Sequence, residues 1–197
     1  MAQRLEEVLK EAWRMIERGV ERFKDPFHWP VLGTVTKEGS SLRTVILRQF
    51  ILPGRILVCH TDARAAKVME ISLNNRLSWL FYHPKKQVQL RVWGKAELHG
   101  DDSFADEKWA EARIFSRLNY CSTLSPGTPV DKPSSGLPEL LMNKAPTLME
   151  TEKGRKNFMS ISSSIEAMEW LKLSVFGNVR ARFEWDDNTV HSTWLIP

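Results

Sequence analysis

The chain has only two cysteines, Cys59 and Cys121, far apart and without CxxC spacing. That argues against a disulfide framework and against a zinc knuckle. Its five histidines, His28, His60, His83, His99 and His191, fall at no metal-ligand spacing, so no metal site is expected. No apolar run approaches the roughly 20 residues of a spanning helix, so no membrane association is expected. Glu6 and Glu7 interrupt the N-terminus and no apolar stretch follows, which argues against a signal peptide. A reducing cytoplasm is the expected compartment. There is no P-loop, no GxGxxG, no HExxH and no GxSxG. The net charge of +4 is spread among acids rather than clustered, which disfavours a nucleic-acid groove and leaves room for one small anionic ligand.

What is there reads as one domain of 197 residues, with 42% hydrophobic and 26% charged residues and enough apolar material for a core. Eight tryptophans suit cores, interfaces or flat-ring ligands. An N-terminal segment over 1–25 carries Leu5, Val8, Leu9, Ala12, Trp13, Ile16, Val20 and Phe23 at helical spacing over 4–23. It predicts an amphipathic helix that docks on the domain or contacts a partner subunit. Then the period changes. Strands are predicted at Trp29–Val35, Leu42–Ile51 and Arg55–Cys59 as a meander, then at Arg76–Tyr82 and Gln87–Leu98. Helices are predicted at Asp62–Leu73, with Asp62 as cap, at 102–118, and near Pro146–Phe158. Residues 121–138, with four prolines, two glycines and several serines, predict an ordered loop or a flap. The end returns to strands at Ile165–Leu173, Val179–Trp185 and Val190–Ile196, with Asp186-Asp187-Asn188 as a turn. Hairpins with peripheral helices predict a mainly β (α+β) fold, a small closed or split barrel, rather than a parallel sheet.

Four segments carry chemistry. In Leu42-Arg43-Thr44-Val45-Ile46-Leu47-Arg48, two arginines sit five apart in an apolar strand. A regular strand sends them to opposite faces. Either one lies at a strand end or bulge, or only one faces a ligand. A guanidinium fork suits phosphate, though strand arginines are more often solvated. His60-Thr61-Asp62-Ala63-Arg64-Ala65-Ala66-Lys67 runs from a strand end into a helix start, where free N–H groups, a hydroxyl and cations favour an anion. In Gln87–Gly94, Val88, Leu90 and Val92 form one face and Gln87, Gln89, Arg91 and Trp93 the other, a donor set suited to a polar heteroaromatic ring. Trp170 and Arg180 lie on successive strands. A hairpin centred on Val175 sets them opposite each other. A tight Gly177-Asn178 turn pairs Trp170 with Trp185 instead, and local turn chemistry favours this second register.

In this order, the four segments resemble the FMN-binding motifs of the pyridoxamine 5′-phosphate oxidase-like flavoproteins, from about Leu32 to Pro197. The family's Arg-x-Val-Leu-Leu-Lys strand reads Arg43-Thr44-Val45-Ile46-Leu47-Arg48 here. Its Tyr-Thr-Asn before Ser-Arg-Lys reads His60-Thr61-Asp62 before Ala65-Ala66-Lys67. Its Arg-Gln-Val-x-Val-x-Gly strand reads Val88-Gln89-Leu90-Arg91-Val92-Trp93-Gly94. The C-terminal tryptophan, arginine and phenylalanine correspond to Trp170, Arg180 and Phe183. The resemblance implies a split-barrel homodimer with FMN at the subunit interface. It implies that Arg43, Lys67 and Thr61 serve the phosphate. Gln89, Trp170, Arg180 and the backbone of Thr44, Val45 and Ile46 would serve the ribityl chain and ring, with His60 and Arg48 also in the cofactor set.

The departures fall mainly on the substrate side. The family's strand-end lysine is Arg48, and its helix-start arginine is Ala66, with Arg64 as a substitute from the preceding turn. Its Arg-Leu-His-Asp-Arg stretch is Phe176-Gly177-Asn178-Val179-Arg180, which loses two substrate groups. Its Tyr-x-x-Ser-Arg site keeps Arg117 but has Arg113 for the tyrosine, and the serine beyond is Cys121. The resemblance therefore implies the divergent, oxidase-related branch. Its expected activity is that of a flavin-dependent oxidoreductase acting on a small molecule, with Arg48 and Arg117 facing substrate. The alternatives are a non-catalytic flavin- or haem-binding module of the same fold, and an interaction domain with an empty cleft.

Overall fold

The computed structural model describes residues 4–187 and 189–197. Residues 1–3 of the N-terminal segment and Asn188 of the expected turn lie outside them. The chain divides into two units. One comprises Met1–Cys59, Asn74–Glu97 and Ser162–Pro197, and the other His60–Leu73 and Leu98–Ile161.

Among the described residues there are nine strands: β1 Val31–Thr36, β2 Gly39–Thr44, β3 Gln49–Ile51, β4 Ile56–Asp62, β5 Arg76–His83, β6 Val88–His99, β7 Phe158–Lys172, β8 Val179–Asp186 and β9 Thr189–Leu195. They follow the order β2-β1-β5-β6-β7-β4-β3, with β8 on β7 and β9 on β8. The pairs β1–β2, β1–β5, β3–β4, β5–β6, β7–β8 and β8–β9 are antiparallel.

The expected strand Leu42–Ile51 is broken. β2 ends at Thr44, β3 starts at Gln49, and the two lie at opposite ends of the strand path. The expected meander is thus two hairpins joined by Val45–Arg48. The backbone there changes partners: Val45 N bonds Pro30 O, Leu47 N bonds His28 O, and Arg48 N bonds Val58 O. Tertiary partners end β2, not a local breaker. The short link also explains the curl. A flat path from first to seventh strand would span about 29 Å at ~4.8 Å per strand, whereas the link, fully extended, reaches about 18 Å. The sheet must roll up for the chain to connect.

In the first unit the alternation of the strands fills the core. Leu32, Leu57, Val58, Trp79, Phe81, Leu90, Val92 and Phe183 are buried. Gly94 is required, since a Cβ there would meet Ser164 O at 2.0 Å. Helix α1, Leu5–Glu21, buries Val8, Ala12, Met15, Ile16 and Gly19. Its Trp13 packs on Phe50 and Trp185, with ring centroids 5.2 and 5.5 Å away. Gly19 admits Phe27, whose backbone a Cβ would meet at 2.7 Å, and its carbonyl lies 2.7 Å from His28 Nδ1.

The second unit holds α2 Ala66–Leu73, α3 Ser103–Glu111, α4 Ile114–Arg117 and α5 Leu148–Thr151. Its core joins Ala105, Trp109, Tyr120 and Phe158. The single helix expected over 102–118 is two helices. Arg117 folds back and donates to Ala110 O and Ala112 O, supplying partners for carbonyls that a longer α3 would have bonded internally. The helix expected near Pro146–Phe158 is α5, opened by a Thr147–Glu150 capping box, followed by a 3-10 turn over Glu152–Asn157. Residues 121–138 contain no helix or strand. The two sides of that loop are tied where Thr123 N and Oγ1 both donate to Gly136 O.

Candidate functional site

The break after Thr44 settles where the two arginines of the first segment lie. Arg43 stands on β2 opposite Leu32, and Arg48 lies beyond the crossing. Alternation along one strand therefore does not relate them. Arg43 donates to Thr34 Oγ1 at 2.5 Å and Ser41 Oγ at 2.6 Å, which fixes its guanidinium. The half-buried Arg48 has no side-chain hydrogen bond or ion pair among the described residues. Between them, the amides of Val45 and Leu47 bond inward to Pro30 and His28. The amide and carbonyl of Ile46 have no partner among the described residues. One donor and one acceptor are thus left open on this extended stretch.

On β6 the sequence reading of two faces holds. Val88, Leu90 and Val92 are buried, while Gln89, Arg91 and Trp93 are half-buried or exposed. The C-terminal hairpin departs from both expected registers. Trp170 pairs with Ala181, and Leu171 pairs with Arg180. The Gly177-Asn178 pair closes the exit of a six-residue loop instead of forming its centre. Leu173 N is held by Gln87 O, Gly177 N by Ser174 O, and Ser174 N by Asn178 Oδ1. The offset of one residue sends Trp170 and Arg180 to opposite faces. Trp170 is 2% exposed, and its Nε1 is buried with no partner among the described residues. Arg180 shares its face with Arg182 and Glu169.

That face holds a group the sequence reading missed. Glu169, 6% exposed, accepts from Arg180 Nη2 at 2.6 Å and Arg182 Nη1 at 2.8 Å, with Arg91 Nη1 at 3.5 Å. Arg91 and Arg182 lie over the Trp93 ring, at 4.8 and 5.6 Å from its centroid. Burial alone would raise the Glu169 pKa. Hydrogen bonds from Arg180 and Arg182, with the charges of Arg180 and Arg91, outweigh it and hold the carboxyl below its ordinary range. The sequence signal was Glu169 as the one carboxylate of the apolar run Ala167–Leu171, with Arg180 and Arg182 two apart on the next strand.

In the second unit the expected helix start at Asp62 is corrected. Asp62 ends β4, and α2 begins at Ala66. The Asp62 carboxylate accepts from Arg64 N at 2.9 Å, Arg64 Nε at 2.9 Å and Arg64 Nη2 at 2.7 Å. An Asx-type turn with a bidentate ion pair replaces a helix cap. The hydrogen bonds that Arg64 donates to Asp62 raise the Arg64 pKa, so this cation is already matched by a charge. Lys67 instead donates to the buried Thr61 Oγ1 at 3.0 Å. The His60 ring meets Phe158 edge-on at 4.8 Å. Arg117, expected to face substrate, is 4% exposed. Besides the two α3 carbonyls it donates to Glu152 Oε1 at 2.6 Å and stacks on Trp109. Cys121 is buried between Arg117 O and Thr151 O, and that burial pushes its thiol pKa up. No cluster able to hold a metal ion occurs among the described residues, and no helix among them is long and apolar enough to cross a membrane.

Residues 10–100 match the family model described as the FMN-binding domain of pyridoxamine 5′-phosphate oxidase. No curated protein matches the sequence. Among solved structures, a pyridoxamine 5′-phosphate oxidase-related, FMN binding protein from Nostoc punctiforme is similar at a TM-score of 0.77 and 22% identity, over 100% of both chains. PhzG from Burkholderia lata, in complex with tetrahydrophenazine-1-carboxylic acid, is similar at 0.71 and 21%, over 96% of this chain and 91% of that one. A protein related to general stress protein 26 from Clostridium acetobutylicum follows at 0.56 and 12%, over 89% and 94%. These likenesses show the fold. Residues 10–100 are thus similar to the FMN-binding domain of pyridoxamine 5′-phosphate oxidase, and the chain shares the split-barrel fold of these structures.

Proposed function

We propose that this protein is an FMN-dependent oxidoreductase acting on a small molecule. The observation that carries the reading is the open peptide of Ile46, a donor and an acceptor held on a rigid crossing beside bonded neighbours. It suits the polar edge of a flavin ring. A further feature fits the same ligand: Lys67 and Thr61 pair an ammonium with a hydroxyl, a donor set for phosphate.

Arg43, Lys67 and Thr61 would serve the phosphate. The backbone of Thr44, Val45 and Ile46, with His60, Gln89 and Arg180, would serve the ribityl chain and ring, whereas Trp170, turned to the opposite face of the sheet, is left out of that set. When bound, FMN supplies the two-electron chemistry. The chain's residues bind and orient, and Arg48 with its unpaired guanidinium is the substrate-facing cation. Arg117 is already committed to Ala110, Ala112 and Glu152, which makes it a support for the second unit.

A homodimer belongs to the same proposal. Leu42, Gly33, Ser78 and Trp93 lie in one row across β2, β1, β5 and β6. They line a cleft of 310 Å³, and Leu42 is 68% exposed beside exposed Val35, Leu80 and Tyr82. A second copy would cover this apolar face. The test of the activity is anaerobic reduction of the FMN-loaded protein, followed at about 450 nm, where oxidised flavin absorbs. Bleaching by NAD(P)H or pyridoxamine phosphate is expected. A loaded protein that neither compound bleaches, nor any other small reductant tried, is a carrier.

A further inference from the structure

Three guanidiniums converge on Glu169, more than its charge needs. A buried carboxylate costs several kcal/mol unless paired, and one bidentate arginine would suffice. Here Arg180, Arg182 and Arg91 face it, and Arg182 also meets Glu184 at 2.7 Å. The cluster carries three guanidiniums against two carboxylates, so positive charge is left over. Glu169 holds Arg180 by Nη2 alone. Nε and Nη1 of Arg180 have no partner among the described residues. The same sheet face carries Gln89 and the Trp93 ring, on which Arg91 and Arg182 lie. A buried carboxylate that fixes one end of a guanidinium leaves its other donors aimed and pre-ordered for an acceptor.

We propose that Glu169 is a positioning residue: it orients Arg180 so that the free donors of that guanidinium meet the bound flavin. Arg91 and Arg182 hold the carboxylate in register, and Trp93 backs them. This rests on the FMN reading above. It gives Glu169 a role that a charge buried only for sheet stability would not have, because its effect on cofactor binding passes through Arg180.

The test is a double-mutant cycle on the full-length protein. FMN affinity is read by quenching of flavin fluorescence, and apoprotein stability by thermal melting. Arg180→Ala and Glu169→Gln are each expected to weaken FMN about tenfold, the scale of one charge-assisted hydrogen bond. The double variant should bind no worse than Arg180→Ala alone, because the carboxylate acts through that arginine. Glu169→Asp keeps the charge and the ion cluster while withdrawing the carboxylate by one methylene. It should lose about threefold, with apoprotein melting close to that of the unaltered chain, and it serves if Glu169→Gln fails to fold. Additive losses in the double variant, or wild-type affinity in both Glu169 variants, would overturn the proposal. An unaltered chain that ignores FMN removes the FMN reading itself, a result distinct from a cycle that binds FMN but shows no coupling.

Discussion

Lys67 and Arg64 are three residues apart and differ in the group that each holds. Arg64 forks the Asp62 carboxylate, whereas Lys67 donates to Thr61 Oγ1, the pair proposed above for the phosphate. Lys67→Ala is therefore expected to weaken FMN binding more than tenfold, since a charge-assisted contact contributes about 1.5–3 kcal/mol. Arg64→Ala should leave the affinity within about twofold while loosening the turn. Fluorescence titration of both variants checks the contrast, and equal losses would remove the assignment of Lys67. Arg117 gives a prediction of the other kind. Its four internal contacts hold α3, Glu152 and Trp109 together, so Arg117→Ala should cost about 2–3 kcal/mol in urea unfolding and leave FMN affinity unchanged. A folded variant of normal stability that loses substrate binding would return Arg117 to the substrate side.

At the scale of elements, Gly94 is where the β7 backbone at Ser164 leaves no room for a Cβ on β6. Gly94→Ala should destabilise by about 3 kcal/mol or prevent folding, because the obstacle is the Ser164 backbone and not a movable side chain. A thermal melt within a degree or two of the unaltered chain would contradict that packing. The α5 cap makes a pH prediction. Hydrogen bonds from Lys144, then from Thr147, hold Glu150 at about 2 against an ordinary 4.5. A depressed folded-state pKa means that the cap contributes in full above about pH 4.5 and is lost as pH falls towards 2. An NMR titration of Glu150 should show that midpoint, and Lys144→Ala should raise it. Elements carried by long periodicity, such as α1, β6 and β8, were legible in the sequence. The breaks were not. Leu42–Ile51 reads as one strand because each residue suits a strand, and the change of partner at Val45 depends on Pro30, His28 and Val58, all distant in the chain. Asp62 has the chemistry of a helix cap, but Arg64 two residues on takes its oxygens first.

For the whole molecule, the curled antiparallel sheet followed from hairpin spacing, and the order of four weak motifs pointed to the split-barrel fold. The candidate site was legible in part. Arg43, Gln89, Thr61 and Lys67 were named from residue chemistry beside the family pattern. Glu169 was not, since a carboxylate between apolar neighbours has meaning only once the register sets Arg180 and Arg182 around it. The exposed face around Leu42 carries the assembly prediction. Leu42→Asp should shift the protein towards monomer in light scattering, because a charge in an apolar interface is costly to desolvate. The central claim is that the chain holds FMN. Its most direct measurement is a titration of the purified, flavin-free protein with FMN, read by flavin fluorescence and by absorbance after desalting. The account predicts saturation at one FMN per chain, with a yellow protein that keeps its flavin on the column. A chain that leaves flavin fluorescence unchanged and emerges colourless at every FMN concentration would contradict it.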